Sequence, residues 1–513
     1  MSYDEIKTMF IKMVSFFSLI KNKYLHAAKA EEFLGADLRS LAVMRIGTAL
    51  IIITDLVLRA RDLVAFYTDQ GILPRASLYG KVENPWFISL HFLGGTWQFE
   101  AALFLLAGLT AVCLLVGYRT KMATILSWFL LISLQARSLY LATGSDVLLR
   151  IILFWGLFLP WGKRFSLDQM RNPDDPKRHQ HHIISIGTFA LTAQIFFLYW
   201  FSFLSKLQPS WILNGNGVYY ALNTDHFVTQ FGIFLRQFPT VMSILSYLVL
   251  FFEGIGPLLL LSPIASGPVR TITIFVFIGM HAGFGTFMTL ALFPWISSIA
   301  MLGLLPSWFW EKLHSRTILY NTHDTVDDIM ATSASNSNTF QTNLLMRVLC
   351  VFFLFYVFWW NVSNFPKTAN FMPLSVRKIG YTLMLDQQWS MFGDPYENDG
   401  WIVVPGLLAD GSVVDLFRDG AQLTWEKPLV VSETFKNYRW RKYLLSIQNE
   451  PLKQFRAYYL RYLCRTWNDA HEGGKRLASA EMVFIREKTL SNRTIAPPER
   501  MLKASHECLK VAL

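Results

Sequence analysis

The sequence predicts an all-α polytopic membrane domain of about nine transmembrane helices, followed by an extracytoplasmic α+β, β-rich C-terminal domain. Three observations carry that prediction. Of 513 residues, 53% are hydrophobic and only 16% are charged, a balance outside the range of soluble globular chains. Apolar windows of about the length a helix needs to cross a bilayer recur near 41–58, 100–117, 122–141, 147–161, 183–205, 240–262, 269–290, 293–310 and 344–361, two of them short. From about residue 364 the apolar runs shorten and turn residues punctuate them.

In chain order, Lys7, Lys12, Lys21 and Lys23 surround the stretch MVSFFSLI. That stretch is too interrupted for a signal-peptide core, and no small-residue cleavage site follows it, so 1–40 is expected to be an uncleaved cytoplasmic amphipathic helix. Residues 41–362 form the transmembrane domain, with a polar, low-complexity cytoplasmic linker at 312–342 that contains ATSASNSNTFQTN. If the N-terminus is cytoplasmic, the inner segments hold 16 Lys and Arg residues, more than twice the number on the outer side before residue 240. The positive-inside rule favours that orientation, and an odd number of spans then places 363–513 outside. The net charge of +11 is read as topology. No Lys/Arg cluster is interleaved with aromatics as a nucleic-acid groove requires, so the bilayer is the expected partner and nucleic acid is not.

In the C-terminal domain, β-branched runs in GWIVVPGLLADGSVVDLFRDGAQLTW are separated by Asp-Gly pairs at 410–411 and 419–420, the chemistry of hairpin turns. Leu452, Phe455, Tyr459, Leu463 and Trp467 recur at helical spacing, with Arg456, Arg461 and Arg465 off the stripe, as on a helix with a solvated basic face. Cys464 and Cys508 are the cysteines outside the spans. In an oxidising compartment they are candidates for a disulfide, the alternative being two buried thiols. No cysteine or histidine spacing suits zinc, so no metal is expected. The His-rich KRHQHH run, with His179, His181 and His182, reads as a cytoplasmic interface segment.

Polar residues inside spans cost energy and need a reason. Arg45 and Asp55 stand too far apart on one helix to pair, which points to partners on other helices. Asp146 and Arg150 in GSDVLLR are four residues apart, within reach of a helix-end ion pair. Glu253 in FFEGIGP is a lone mid-span carboxylate before helix-loosening Gly and Pro. His281 is flanked by Gly279, Gly283 and Gly285, where close helix packing is the competing explanation. Lys206 ends a long apolar run just before Pro209, Trp211, Asn214 and Gly215. It is either a snorkelling anchor or, with its amine buried at a pocket mouth, a base.

The segment SKLQPSW resembles the lysine–tryptophan segment of the vitamin K-dependent gamma-carboxylases. The chain as a whole resembles their bacterial relatives, the HTTM (horizontally transferred transmembrane) proteins, through MRIGTALIIITDLVLRARDLVAFYTDQGILPR, GSDVLLRIILFWGLFLPWGKRFSLD, SKLQPSWILNGNGVYYAL and DQQWSMFGDPYENDGWIVVPGLLADGSVVDLFRDG. The resemblance implies an integral protein of the bacterial inner membrane. It implies a carboxylase coupled to quinol epoxidation, with a reduced quinone of vitamin K or menaquinol type, oxygen and carbon dioxide as co-substrates and a secreted peptide or protein as acceptor. It puts Lys206 in the base position, matches His281 to the histidine of a later intramembrane helix and Glu253 to an acidic residue, and makes Trp211, Asn214, Asp146 and Arg150 candidates for substrate or quinol binding. Where the animal carboxylases carry a catalytic Asn-His pair, this chain has GSDVLLR. Two other function classes remain: a non-catalytic maturation or immunity partner for a secreted peptide, and a transporter, against which stands the lack of internal repeats.

Overall fold

The computed structural model describes residues 35–78, 89–173, 181–318, 343–393, 397–490 and 494–509. Of the helix expected over 1–40, residues 1–34 lie outside the described residues and 38–40 already belong to the first long helix; the linker stretch 319–342 and most of the KRHQHH run lie outside them as well.

Each apolar window becomes helix: α1 (Leu38–Ala60), α2 (Trp97–Val116), α3 (Thr120–Arg137), α4 (Gly144–Gly156), α5 (Ile186–Ser205), α6 (Pro239–Leu259), α7 (Ser266–Phe287), α8 (Phe293–Leu302) with α9 (Ser307–Ile318) after Pro306, and α10 (Leu344–Val362). Six of these, α1, α2, α5, α6, α7 and α10, are long and apolar enough to cross a membrane. Against the expected nine, six qualify by length and composition among the described residues. α3 carries Lys121, Gln135 and Arg137, and α4 and α8 are short. A 13-residue helix rises about 20 Å, less than the roughly 30 Å hydrocarbon core. α4 is instead the buried centre of the bundle, with side chains covered on every face from Leu148 to Trp155.

Local chemistry sets the ends. Ser185 and Thr188 form a reciprocal capping box at the start of α5. Gly117 closes α2 in the left-handed region at φ 67°. A Cβ there would lie 2.4 Å from Arg45 Nη1. Arg45 donates to the carbonyls of Leu114 at 2.6 Å and Phe165 at 2.5 Å, so it ties α1 to the end of α2 as the search for partners on other segments predicts. His181 O accepts from Leu38 N at 2.7 Å, holding the start of α1.

After α10, the short helix α11 (Leu374–Thr382) leads to an antiparallel sheet of β1 (Asn398–Val403), β2 (Pro405–Leu408), β3 (Val413–Asp415), β4 (Ala421–Gln422), β5 (Leu477–Lys488) and β6 (Glu499–Glu507). The order is β1-β5-β2-β3-β4, with β6 also on β5. The hairpins turn where the Asp-Gly pairs predict: Gly411 has φ 85°, and Asp419 and Gly420 both have positive φ. Helices α12 (Tyr438–Ser446) and α13 (Gln454–Ala470) lie between β4 and β5 in sequence, and α13 covers β5 and β6. A disulfide joins Cys464 on α13 to Cys508. Arg456 corrects the solvated-face reading of α13: it is buried and donates to the carbonyls of Ile447 and Gln448.

Candidate functional site

Three helices present polar residues to a common cavity. On α5, Leu198, Tyr199, Ser202 and Lys206 follow at steps of one, three and four, so they share a face. On α6, Leu245, Val249 and Glu253 recur every four residues. α7 contributes His281 between Gly279 and Gly283. Together they line a cavity of about 260 Å³, closed by Trp211, Trp389 and Phe392. Most of the lining is apolar.

Lys206 is the C-cap of α5, where a cation meets unspent carbonyls. Its ammonium does not snorkel. The residue is 3% exposed, and Nζ donates to Ser202 Oγ at 2.6 Å and to Glu253 Oε1 and Oε2 at 3.1 and 2.8 Å. It also lies 5.5 Å from the centre of the Trp211 ring. The ring packs flat on the chain because residue 217 is glycine: a Cβ there would fall 2.2 Å from it. Trp211 Nε1 donates to Phe392 O at 2.9 Å, which fastens the 389–392 segment over the cavity.

His281 is 1% exposed. Its Nε2 lies 2.7 Å from Tyr199 Oη, while Nδ1 has no hydrogen-bond partner among the described residues. Neutral imidazole and phenol bring two polar hydrogens to this contact and use one. One donor is therefore left over beside the cavity. Gly279 and Gly283 do not serve close helix packing as the glycine spacing suggested, since a Cβ added at either meets nothing within 4 Å.

Behind the wall formed by Leu290, Phe293, Met391 and Phe392 lies a second, more polar cavity of about 810 Å³. Arg377, Asp386, Tyr438, Arg441 and Lys442 reach it. Arg441 is spent on His226 O and Thr289, and Asp386 pairs with Arg150 at 2.9 Å. Lys442 has no hydrogen bond or ion pair among the described residues; burial pushes its ammonium below the ordinary lysine value, and Asp146 only partly opposes this.

Of the residues singled out in sequence, Lys206, Glu253, His281 and Trp211 come together. Asn214 is exposed and off the cavity. Asp146 and Arg150 are also elsewhere, and they do not pair with each other. Asp146 turns back to Thr143 as the third residue of a capping box and meets Arg59 at 2.5 Å and Arg439 at 2.6 Å. Arg150 points to Gln135 and to Asp386. Asp55, likewise, meets Arg59 of its own helix and Arg439, each at 2.7 Å. The sequence reading passed over Tyr199, Ser202 and the 389–392 lid. The first two carry a signal, their spacing to Lys206.

Residues 33–310 match the family model described as HTTM domain. No curated protein and no solved structure matches the chain.

Proposed function

This chain belongs to the HTTM domain family, and from that premise we propose that it is a lipid-quinol-dependent modifying enzyme in which Lys206 is the base. The observation that carries the reading is a buried amine–carboxylate pair on the wall of an apolar cavity, next to an unspent donor at the Tyr199–His281 contact. Buried polar groups are normally satisfied, and an apolar pocket with a few convergent polar groups is the usual form of a ligand site. The lining would suit a quinol head: Trp211, Phe284 and Phe293 would pack against it, and Lys206 and His281 would hold its oxygens. A quinol bound here supplies a reducing, ionisable hydroxyl.

Lys206 and Glu253 move the proton together. As Nζ accepts the hydroxyl proton, one of its own protons passes to Glu253 Oε2 at 2.8 Å, so the pair ends as ammonium and carboxylic acid and charge is conserved. The acceptor, a secreted peptide or protein, offers an anionic group in the polar cavity beyond Phe293, where Lys442 faces it. The outer placement of residues 363–513 is supported by the Cys464–Cys508 disulfide, a bond of oxidising compartments. Of Asp146, Arg150 and Glu253, the charges a transporter could use, the first two are spent on other partners.

Mass spectrometry of protein purified from membranes without reductant tests the proposal. The expected result is a co-purifying quinone and a mass two hydrogens short at the Cys464–Cys508 pair. Protein that carries no quinone and binds none when it is added overturns the quinol reading; two free thiols overturn the outer placement.

A further inference from the structure

The cavity at Lys206 has an opening that the packing of α6 and α7 leaves in a definite place. The outward face of α7 is marked by Ile272, Phe275, Gly279, Ala282 and Thr286, all exposed and spaced at three or four. Gly279 belongs to that face and also lines the cavity, as does neighbouring Gly283. The chain closes on α7 on both sides of them. Below, Gly256 of α6 meets Phe277, where a Cβ would lie 2.5 Å from the ring; above, Gly232 of the short helix Gln230–Leu235 meets Phe287 O, again at 2.5 Å. These two contacts are ten residues apart, about 15 Å along a helix. Between them, the positions where a Cβ would meet nothing are Gly279 and Gly283. The facing stretch of α6 carries Ile244, Tyr247, Leu248 and Phe251 exposed toward the same side, and Phe231, Phe234 and Phe238 stand exposed beside it, as aromatic side chains do at a bilayer interface.

Two further observations point to a ligand there. His281 Nδ1 is buried, without a partner among the described residues, and lies on the cavity. The cavity, about 260 Å³, is below the roughly 300–1,000 Å³ of complete ligand pockets. It holds a ring head group and has no room for a long hydrocarbon tail.

We propose that the gap at Gly279 and Gly283 is a lateral doorway: the ring of a prenylated lipid sits at Lys206 and His281, and its tail leaves between α6 and α7 into the bilayer. The proposal rests on the quinol reading and adds to it that the ligand is a tailed lipid delivered from the membrane. Glycine is a poor helix former, about 1 kcal/mol worse than alanine in a helix interior. Two of them one turn apart, Gly279 exposed and Gly283 half-buried, are accounted for by the space they leave.

The test compares two probes on protein reconstituted in liposomes: a menaquinone with a long prenyl tail and tail-free menadione. A Cβ at Gly279 or Gly283 meets nothing within 4 Å and leucine favours the helix over glycine, so Gly279→Leu and Gly283→Leu are both expected to fold. Each should weaken binding of the long-tailed quinone at least tenfold and leave menadione binding within twofold of the unmodified chain. Ile272→Leu, on the same face below the gap, should change neither. Unchanged binding of the long-tailed probe in both glycine variants overturns the doorway, as does equal loss of the two probes, which would place the new side chains in the head-group site. An unmodified chain that binds neither quinone overturns the quinol reading itself and is distinguishable from both.

Discussion

Around Asp146, two carboxylates face two guanidinium groups; around Glu253, one carboxylate faces one ammonium. Both clusters are buried, and both join helices distant in sequence. In the first, every carboxylate oxygen accepts a hydrogen bond: Asp55 from Arg59, Arg439 and Tyr438, and Asp146 from Arg59, Arg439 and Thr143. Neither the cavity at Lys206 nor the polar cavity behind it is lined by these carboxylates. In the second, the pair stands on the wall of a void, with a spare donor at the Tyr199–His281 contact across it. With every carboxylate oxygen engaged, the first, enclosed network serves to hold α12 of the C-terminal domain against α1 and α4. A network with room and an unspent group is built for something that arrives. Burial of charge alone does not distinguish the two cases; the accounting of partners does.

The largest effect should fall on the open cluster. Lys206→Arg keeps a cation beside Glu253 but cannot accept a proton at any ordinary pH. Quinol oxidation by reconstituted protein should fall roughly 10²–10⁴-fold, the usual cost of removing a general base, while the folded state persists. Glu253→Gln should fall in the same direction, because the amine then has nowhere to pass its proton. Turnover by Lys206→Arg at the rate of the unmodified chain would show that the lysine only holds helices together, and the contrast between the clusters would be gone.

In the closed cluster the expected loss is of stability. Arg439→Ala leaves Asp55 and Asp146 sharing Arg59 alone, and breaking a buried ionic group by removing one partner costs about 3–5 kcal/mol. Denaturant unfolding in detergent should register it, with activity per folded molecule retained. A loss below about 1 kcal/mol would mean that α12 is held by its apolar contacts, such as Trp440 against Phe66 at 4.7 Å.

Much of the open cluster was legible in sequence, and little of the closed one. Lys206, Glu253 and His281 stand out because an ionisable group in an apolar run is conspicuous wherever its partner lies. Arg439 does not, because it sits in YRWRKYLL among other basic residues and its partner Asp146 is 293 positions away. The i,i+4 spacing of Asp146 and Arg150 misleads for a related reason: spacing shows which groups share a face, and tertiary competitors decide which of them bond. Asn214 followed from proximity to Trp211 in sequence, yet the turn that seats the indole on Gly217 throws the next three side chains outward. The β hairpins were readable because their Asp-Gly turns are local, whereas the buried Arg456 needed the carbonyls of a preceding loop.

The smallest effect is the most discriminating, because it compares two cations on one helix. Arg439 and Lys442 are three residues apart on α12. Burial works against both, but Asp146 and Asp55 outweigh it for Arg439 and hold its charge well above the ordinary range, whereas Lys442, facing the polar cavity, is left below its ordinary value. An anion bound in that cavity pairs with the protonated amine. As pH rises, Lys442 releases its proton earlier than an ordinary lysine, so affinity for the anion should decline below the usual lysine range. Calorimetry with a short acidic peptide at pH 7 and pH 9.5 (roughly one unit below the ordinary lysine value) should show weaker binding at the higher pH in the unmodified chain. Lys442→Arg should bind equally at both, and Lys442→Gln should bind roughly tenfold or more weakly at pH 7, the scale of one hydrogen bond to a charged group. If Lys442→Gln binds the peptide as the unmodified chain does, the anion is held by Arg377 or not in this cavity at all, and the unpartnered lysine is no counterpart to the unspent donor at the Tyr199–His281 contact.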